Sequence, residues 1–546
     1  MDFYSHLDER KFAELLAHLG GGTALGRIFR LVQAAGCRAV VVEPNPTETE
    51  YRKEHEVFYS QVMAVDPHAK PIRLHFFEDG PASLAEIAEH DKRYLGWCDI
   101  RPAPMGTVSN AFIDTRVFVR TNSDYLFVTC QKQFEVSWPD GRVFAVRAFP
   151  YVQQDGAVVR CAQAALTGIA QFYGSELRGP DFTDIGKAYP SGMRAIPSRG
   201  LIPPQIGLGI EKIGLEPVIH DYTLVPDEHK EILHCEQVIY RYIESGIPVL
   251  IGVDAGREMH ALVVIGHTFT PDSWLAHTAR LYYERPKSGF SYHCSTTWIE
   301  RFVVQDDNLG PYMLTPSDFI QYVACKLVVV PLPRSTFLAA EEAELFAADL
   351  FRPAGQDICS VLGAFIKKSE DDQKPLHPDT KFWYEQFQSQ VYGLELVLRT
   401  SLRDAVGWKR SMESCESVAA FRSVLDKLPL PENVWVVEIS WPEIFTHARN
   451  FCGEVVLDPT ALLSPSVPTL DQAWLWVHVP GVVMWRNGRT NEKGISILEV
   501  RDTIRAHHRN TGSAENAVSE CGGCKRAPGP ESIGDANPET EVADGS

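Results

Sequence analysis

Cys161, His260 and Asp306 supply, in chain order, a thiol, an imidazole and a carboxylate. These groups can carry out nucleophilic acyl chemistry. A thiol attacks carbonyl carbon once a base takes its proton, and the base works best when an acceptor fixes its orientation. Cys161 opens the run Cys161-Ala162-Gln163-Ala164-Ala165-Leu166-Thr167-Gly168-Ile169-Ala170-Gln171-Phe172-Tyr173-Gly174. Ala165, Leu166, Ile169, Phe172 and Tyr173 recur at helical spacing and Gly174 is a stop signal, so the spacing predicts a helix that begins at the cysteine. The positive end of the peptide dipoles there favours the thiolate, the nucleophilic form. The plainer reading is a buried structural cysteine, since free Cys is among the most buried residue types. The partners of Cys161 decide between the two.

Two strands are expected to carry those partners. Residues 246–253 read as a turn into a buried strand, and 254–258 as a polar loop. Met259-His260-Ala261-Leu262-Val263-Val264-Ile265-Gly266 then reads as a strand opened by His260. A third strand runs through Phe302-Val303-Val304-Gln305 to Asp306, Asp307 and Asn308, before a turn at Gly310-Pro311. Side chains alternate along an extended chain, so Asp307 is expected to face away from Asp306 and Asn308 to return to its side. Asp306 is therefore the first choice to orient His260, with Asn308 or Asp307 as substitutes.

The order of Cys-helix, G-x-P-V strand, H-A-L-V-V-I-G strand and V-x-D-x-N-x-G-P-Y segment resembles the papain-like cysteine peptidases. Within them it resembles the branch that removes double-glycine leader peptides from bacteriocins. The resemblance spans about residues 148–333. It implies an α+β fold in which a helical layer meets an antiparallel sheet with the site between them. It also implies Cys161 as nucleophile, His260 as base and then acid, and Asp306 as orienting group. Gln154 would join the backbone N–H of Cys161 in the oxyanion hole, with Gln153 as the register alternative. The substrate would be a peptide or protein, cleaved through a thioester, and no cofactor and no metal is called for.

This chain departs from that family in three ways. Ala162 and Gln163 stand where the family typically has Gly-Pro. His260 and Asp306 are 46 positions apart, more than the family usually allows. The added segment, 268–301, carries Trp274, Tyr282, Tyr283, Phe290, Tyr292 and Trp298, and reads as a hairpin over the site or a surface excursion. Amidase, deamidase or transferase chemistry would use the same residues. A non-catalytic binding or scaffold protein with a degenerate papain-like domain is the alternative from another class. Metal-dependent hydrolysis through His234-Cys235 and His293-Cys294 is a third reading, but their spacing matches no known ligand pattern.

Composition narrows the field further. A net charge of −19 argues against nucleic acid or an anionic membrane as partner, and its plainest meaning is solubility. The start lacks a basic region followed by an apolar run, and no apolar run approaches a membrane-spanning length. Leader-peptide processors usually sit at the front of membrane exporters, and nothing in this sequence supplies one. The 12 cysteines are scattered, which suggests a reducing, cytoplasmic setting. Oligomeric state is not legible.

The length suggests three domains and a tail. Residues 1–147 read as an N-terminal α/β domain, 148–333 as the papain-like domain, 334–510 as a C-terminal mixed domain, and 511–546 as a disordered acidic tail. Gly20-Gly21-Gly22 follows a helix rather than a strand, so it reads as a helix-to-helix turn and not a phosphate loop. A hairpin is expected around Pro139-Asp140-Gly141, a charged loop at 367–374, and a helix over 384–398. Cys521-Gly522-Gly523-Cys524 is half a zinc site at most.

Overall fold

A computed structural model describes residues 2–497 apart from internal stretches, among them 79–85, 155–159, 189–199, 226–233, 273–290, 414–424 and 462–472. Residues 498–546, including Cys521 and Cys524, lie outside the described residues. The described chain is α+β. Its sheets are antiparallel, apart from one short parallel pairing of His293–Cys294 with Val397 and Leu398.

Near the N-terminus the Asp8 carboxylate caps the helix Glu9–His18 by accepting the Lys11 N–H at 2.8 Å. Gly20 and Gly21 then adopt φ of 96° and 60°, a conformation that disfavours any residue with a Cβ, and turn the chain into the helix Thr23–Ala34. The glycine run is thus the expected helix-to-helix turn. The strands Asp2–Tyr4, Cys37–Pro44, Ile72–Glu78, Tyr94–Ile100 and Val108–Ile113 form the first sheet, in that order.

The second sheet runs Gly310–Pro316, Arg301–Asp306, Met259–Thr268, Val249–Asp254, Cys325–Leu332, Glu216–Asp221. Leu126–Val128, from the N-terminal third of the chain, adds to it by pairing with Gly266, His267 and Thr268. The helix Cys161–Phe172 packs on Met259–Thr268 and between the helices Gly179–Ala188 and Pro203–Ile213, so all of its residues are buried and not just one face. Its small residues permit this close approach: a Cβ on Gly168 would sit 3.1 Å from the Pro150 carbonyl oxygen.

The third sheet carries Val397–Asp404, Asn433–Ser440, Gly453–Leu457, Trp474–Val479, Val482–Arg486 and Lys493–Ile497. Buried polar groups tie it to the second sheet's helix Cys235–Glu244. The Glu344 carboxylate accepts from Arg241 (2.6 and 3.0 Å), Tyr292 Oη (3.0 Å) and Thr400 Oγ1 (2.8 Å). Glu244 takes Arg449 at 2.6 Å and also bonds His267.

Several expectations are corrected. The turn after Asp306 occupies residues 307–309, and Gly310 (φ 124°) opens the next strand instead of turning the chain. A Cβ on Gly310 would come within 2.8 Å of the Arg27 side chain, whose guanidinium donates to the carbonyls of Pro311 (3.3 Å) and Tyr312 (2.6 Å). Of the added segment, 273–290 lies outside the described residues. The part after it does not cover the site: Tyr292 and Trp298 are fully buried, and Trp298 Nε1 donates to Thr446 Oγ1. Lys367 and Lys368 belong to the helix Ile358–Asp371, because a charged run can be the solvated face of a helix as readily as a loop. The helix expected over 384–398 is Pro378–Gly393, and Val397 and Leu398 begin a buried strand.

Candidate active site

Cys161 is the first residue of its helix, preceded by Arg160, whose carbonyl accepts the Ala164 N–H at 2.8 Å. The thiol is 6% exposed. His260 is the second residue of Met259–Thr268, and Asp306 is the last of Arg301–Asp306. These strands pair directly, with Val263 opposite Gln305, so imidazole and carboxylate emerge at the same end of the sheet. His260 Nε2 lies 3.3 Å from Asp306 Oδ1 in hydrogen-bond geometry. Cys161 is close enough to this ring to be among the groups that raise its pKa.

Asp306 Oδ1 also accepts the backbone N–H groups of Asn308 (2.9 Å) and Leu309 (3.1 Å). Burial opposes its ionisation, but the His260 bond and these two donors outweigh burial and hold the carboxyl below its ordinary range. Burial likewise works against a charged His260. The bond to Asp306 and the nearby Cys161, together with the charges of Asp307 and Asp306, overcome it and lift the imidazole to about 10. The site therefore favours an imidazolium.

Asp307 does not face away. Its Oδ1 is also 3.3 Å from His260 Nε2, though outside hydrogen-bond direction, and neither of its oxygens has a hydrogen-bond partner among the described residues. Strand alternation fails here for a local reason. Pairing with Gly310–Pro316 shifts register between Val304 and Asp306, the strand ends at Asp306, and Asp307 begins the turn. Burial first, and the neighbouring Asp306 charge, push its carboxyl up to about 7, against the pull of His260.

Asn308 does not bond His260. Its Oδ1 accepts from Gln154 Nε2 at 2.7 Å, while Gln154 Oε1 takes the Arg160 backbone N–H at 3.2 Å. Gln154 therefore reaches the start of the helix. Gln153 turns away, its Oε1 accepting the Val108 N–H at 2.9 Å and its carbonyl accepting Arg101 at 2.8 Å.

Sequence reasoning missed Arg160. Its guanidinium stacks 4.4 Å from the Phe58 ring centroid and donates to Tyr59 Oη at 2.9 Å, so the N-terminal region forms one wall beside the site. A cavity of about 370 Å³ lies behind that wall, lined by Glu54, Arg101, Gln153, Arg160, Gln163 and Arg178 among others, and Cys161 is not part of its lining. The one signal in the sequence was an arginine next to the candidate nucleophile. The pairs His234-Cys235 and His293-Cys294 do not converge: His234 pairs with Glu236 at 3.4 Å and His293 with Glu395 at 2.8 Å. Among the described residues, the group of three or more His, Cys, Asp or Glu side chains whose ligand atoms all lie within 4.8 Å of one another is His260, Asp306 and Asp307. Compared with known proteins, the chain matches no family model, and no curated protein matches it.

Proposed function

We propose that this chain is a cysteine-type hydrolase of papain-like arrangement, acting on a peptide or protein amide through Cys161, His260 and Asp306. One observation carries the reading: the imidazole that hydrogen-bonds a buried carboxylate lies beside a thiol at a helix N-terminus. The Cys161 thiolate would attack the carbonyl carbon, and the oxyanion would be met by the Cys161 N–H and the remaining N–H of Gln154 Nε2. Collapse of the tetrahedral intermediate breaks the C–N bond as the His260 imidazolium gives its proton to the leaving amine, leaving a thioester. His260, now neutral, takes a proton from water as the water attacks the thioester, and collapse of this second intermediate breaks the C–S bond, releasing the acid and restoring the Cys161 thiolate beside the His260 imidazolium. A cytoplasmic setting goes with this reading, since the described cysteines are all buried and form no disulfide among the described residues.

The test is site-selective alkylation. At pH 6, where an ordinary thiol is almost wholly protonated, Cys161 should react with iodoacetamide faster than the other cysteines, and His260→Ala should remove that advantage. Labelling of Cys161 no faster than of Cys521 and Cys524 would support a non-catalytic binding protein instead.

A further inference from the structure

Asp307 has no place in a three-residue thiol mechanism, yet its carboxylate is 5% exposed and neither oxygen has a hydrogen-bond partner among the described residues. A buried carboxylate with no hydrogen bond is costly, and His260 Nε2, 3.3 Å away but outside hydrogen-bond direction, does not supply one. Its surroundings favour a cation. His260 Nε2 lies 3.3 Å from Asp306 Oδ1 and 3.3 Å from Asp307 Oδ1. Charge-assisted hydrogen bonds are usually shorter, about 2.7–2.9 Å. Bonds of about 2.0–2.1 Å from a tetrahedral ion to nitrogen and oxygen place neighbouring ligands about 3.3–3.4 Å apart. Both measured separations match that edge.

We propose that His260, Asp306 and Asp307 form a divalent-cation site of the zinc type, sharing its imidazole with Cys161. An imidazole nitrogen and two carboxylates suit zinc or a similar late transition ion better than magnesium or calcium, which take six or more oxygens. Three protein ligands leave a fourth position for water. The ion takes the Nε2 lone pair, so binding expels the Nε2 proton to solvent and removes the imidazolium. Metal occupancy and thiol chemistry therefore exclude each other, and the site becomes a zinc-responsive lock. The coordination argument does not rest on the hydrolase reading.

The experiment uses the full chain with Cys521→Ser and Cys524→Ser, which removes a competing dithiol, after treatment with chelator. Calorimetric titration with zinc chloride should show one equivalent bound, with affinity at least tenfold weaker in Asp307→Asn. Saturating zinc should slow iodoacetamide labelling of Cys161 at least tenfold in the parent and far less in Asp307→Asn. Equal affinity in the two proteins, or no stoichiometric binding, would overturn the proposal and leave Asp307 simply protonated. Should Asp307→Asn fail to fold, cobalt(II) loading of the parent decides: intense visible bands of a four-coordinate ion support the site, and the weak bands of a six-coordinate ion refute it. Failure of the hydrolase reading shows separately, as ordinary Cys161 labelling in metal-free protein.

Discussion

Gln154 donates its side-chain amide to Asn308 across 2.7 Å, fastening the segment before the Cys161 helix to the turn that follows Asp306. The bond uses one N–H of Nε2 and leaves the other for an oxyanion. Asn308→Ala should therefore lower kcat by roughly 10- to 100-fold, less than outright loss of an oxyanion donor, about 10²–10³. Cys161 alkylation should stay unchanged. An equal fall in alkylation would mean that Asn308 acts on the imidazole.

Both carboxylates stand 3.3 Å from His260 Nε2, but only Asp306 meets it in hydrogen-bond geometry. On a peptide substrate, Asp306→Ala should cut kcat about 10³-fold or more, in the range found when a triad carboxylate is lost. Asp307→Ala should cost less than about tenfold, because it neither orients the ring by a hydrogen bond nor touches the thiol. Measuring kcat for the pair separates them, and the reverse ranking would make Asp307 the orienting group.

The two raised groups make the same demand on pH, since folding favours the protonated form of each. His260 is lifted from 6.5 to about 10, so its contribution to stability is complete below pH 6.5 and is lost as pH rises through about 10. Asp307 is lifted from 3.8 to about 7, so folding favours its protonated form, and that advantage is lost as pH climbs through about 7. Asp306, held low, matters only in acid, where its contribution is lost as pH falls through its folded value. In chelator, the Tm of Asp307→Asn minus that of the wild type should increase by a few °C, as a rough expectation for a kcal/mol-scale change, between pH 4 and pH 8. A gap that stays flat with pH would show that Asp307 carries no buried charge.

Glu344 gathers Arg241, Tyr292 and Thr400 with almost no solvent contact. Glu344→Ala leaves Arg241 without that partner, which should destabilise the protein by about 3–5 kcal/mol in denaturant titration. A loss under about 1 kcal/mol, typical of surface pairs, would show that water replaces the carboxylate.

Much of this was legible because strands and helices bury regular patterns. The run from Ala261 to Gly266 is continuously apolar, as a strand buried on both faces should be, and Cys161 to Phe172 has helical spacing. What escaped was decided by geometry that periodicity cannot carry. Lys132–Ser137 is a mostly exposed, mostly polar strand whose short alternation, Phe134 and Val136, was too slight to mark it as the hairpin partner of Val143–Ala148. Asp307 was misassigned because a register shift and a strand end fall together at Asp306. Asn308 was read from its spacing to Asp306, yet its partner is Gln154, 154 positions away. The full burial of the Cys161 helix follows from three neighbouring elements and not from its own sequence.

The strand Leu126–Val128 has a consequence for any attempt to work with less than the whole chain. A fragment cut at 147 would lose the three residues that pair with Gly266, His267 and Thr268, baring backbone donors and acceptors on the very strand that carries His260. It would also lose Phe58 and Tyr59, the wall that holds Arg160. An unzipped edge of this kind invites pairing between molecules. The thiol centre is thus not a transplantable cassette. Its inheritance, its expression and its redesign are bound to sequence that lies more than a hundred residues upstream of Cys161 in the case of Phe58 and Tyr59.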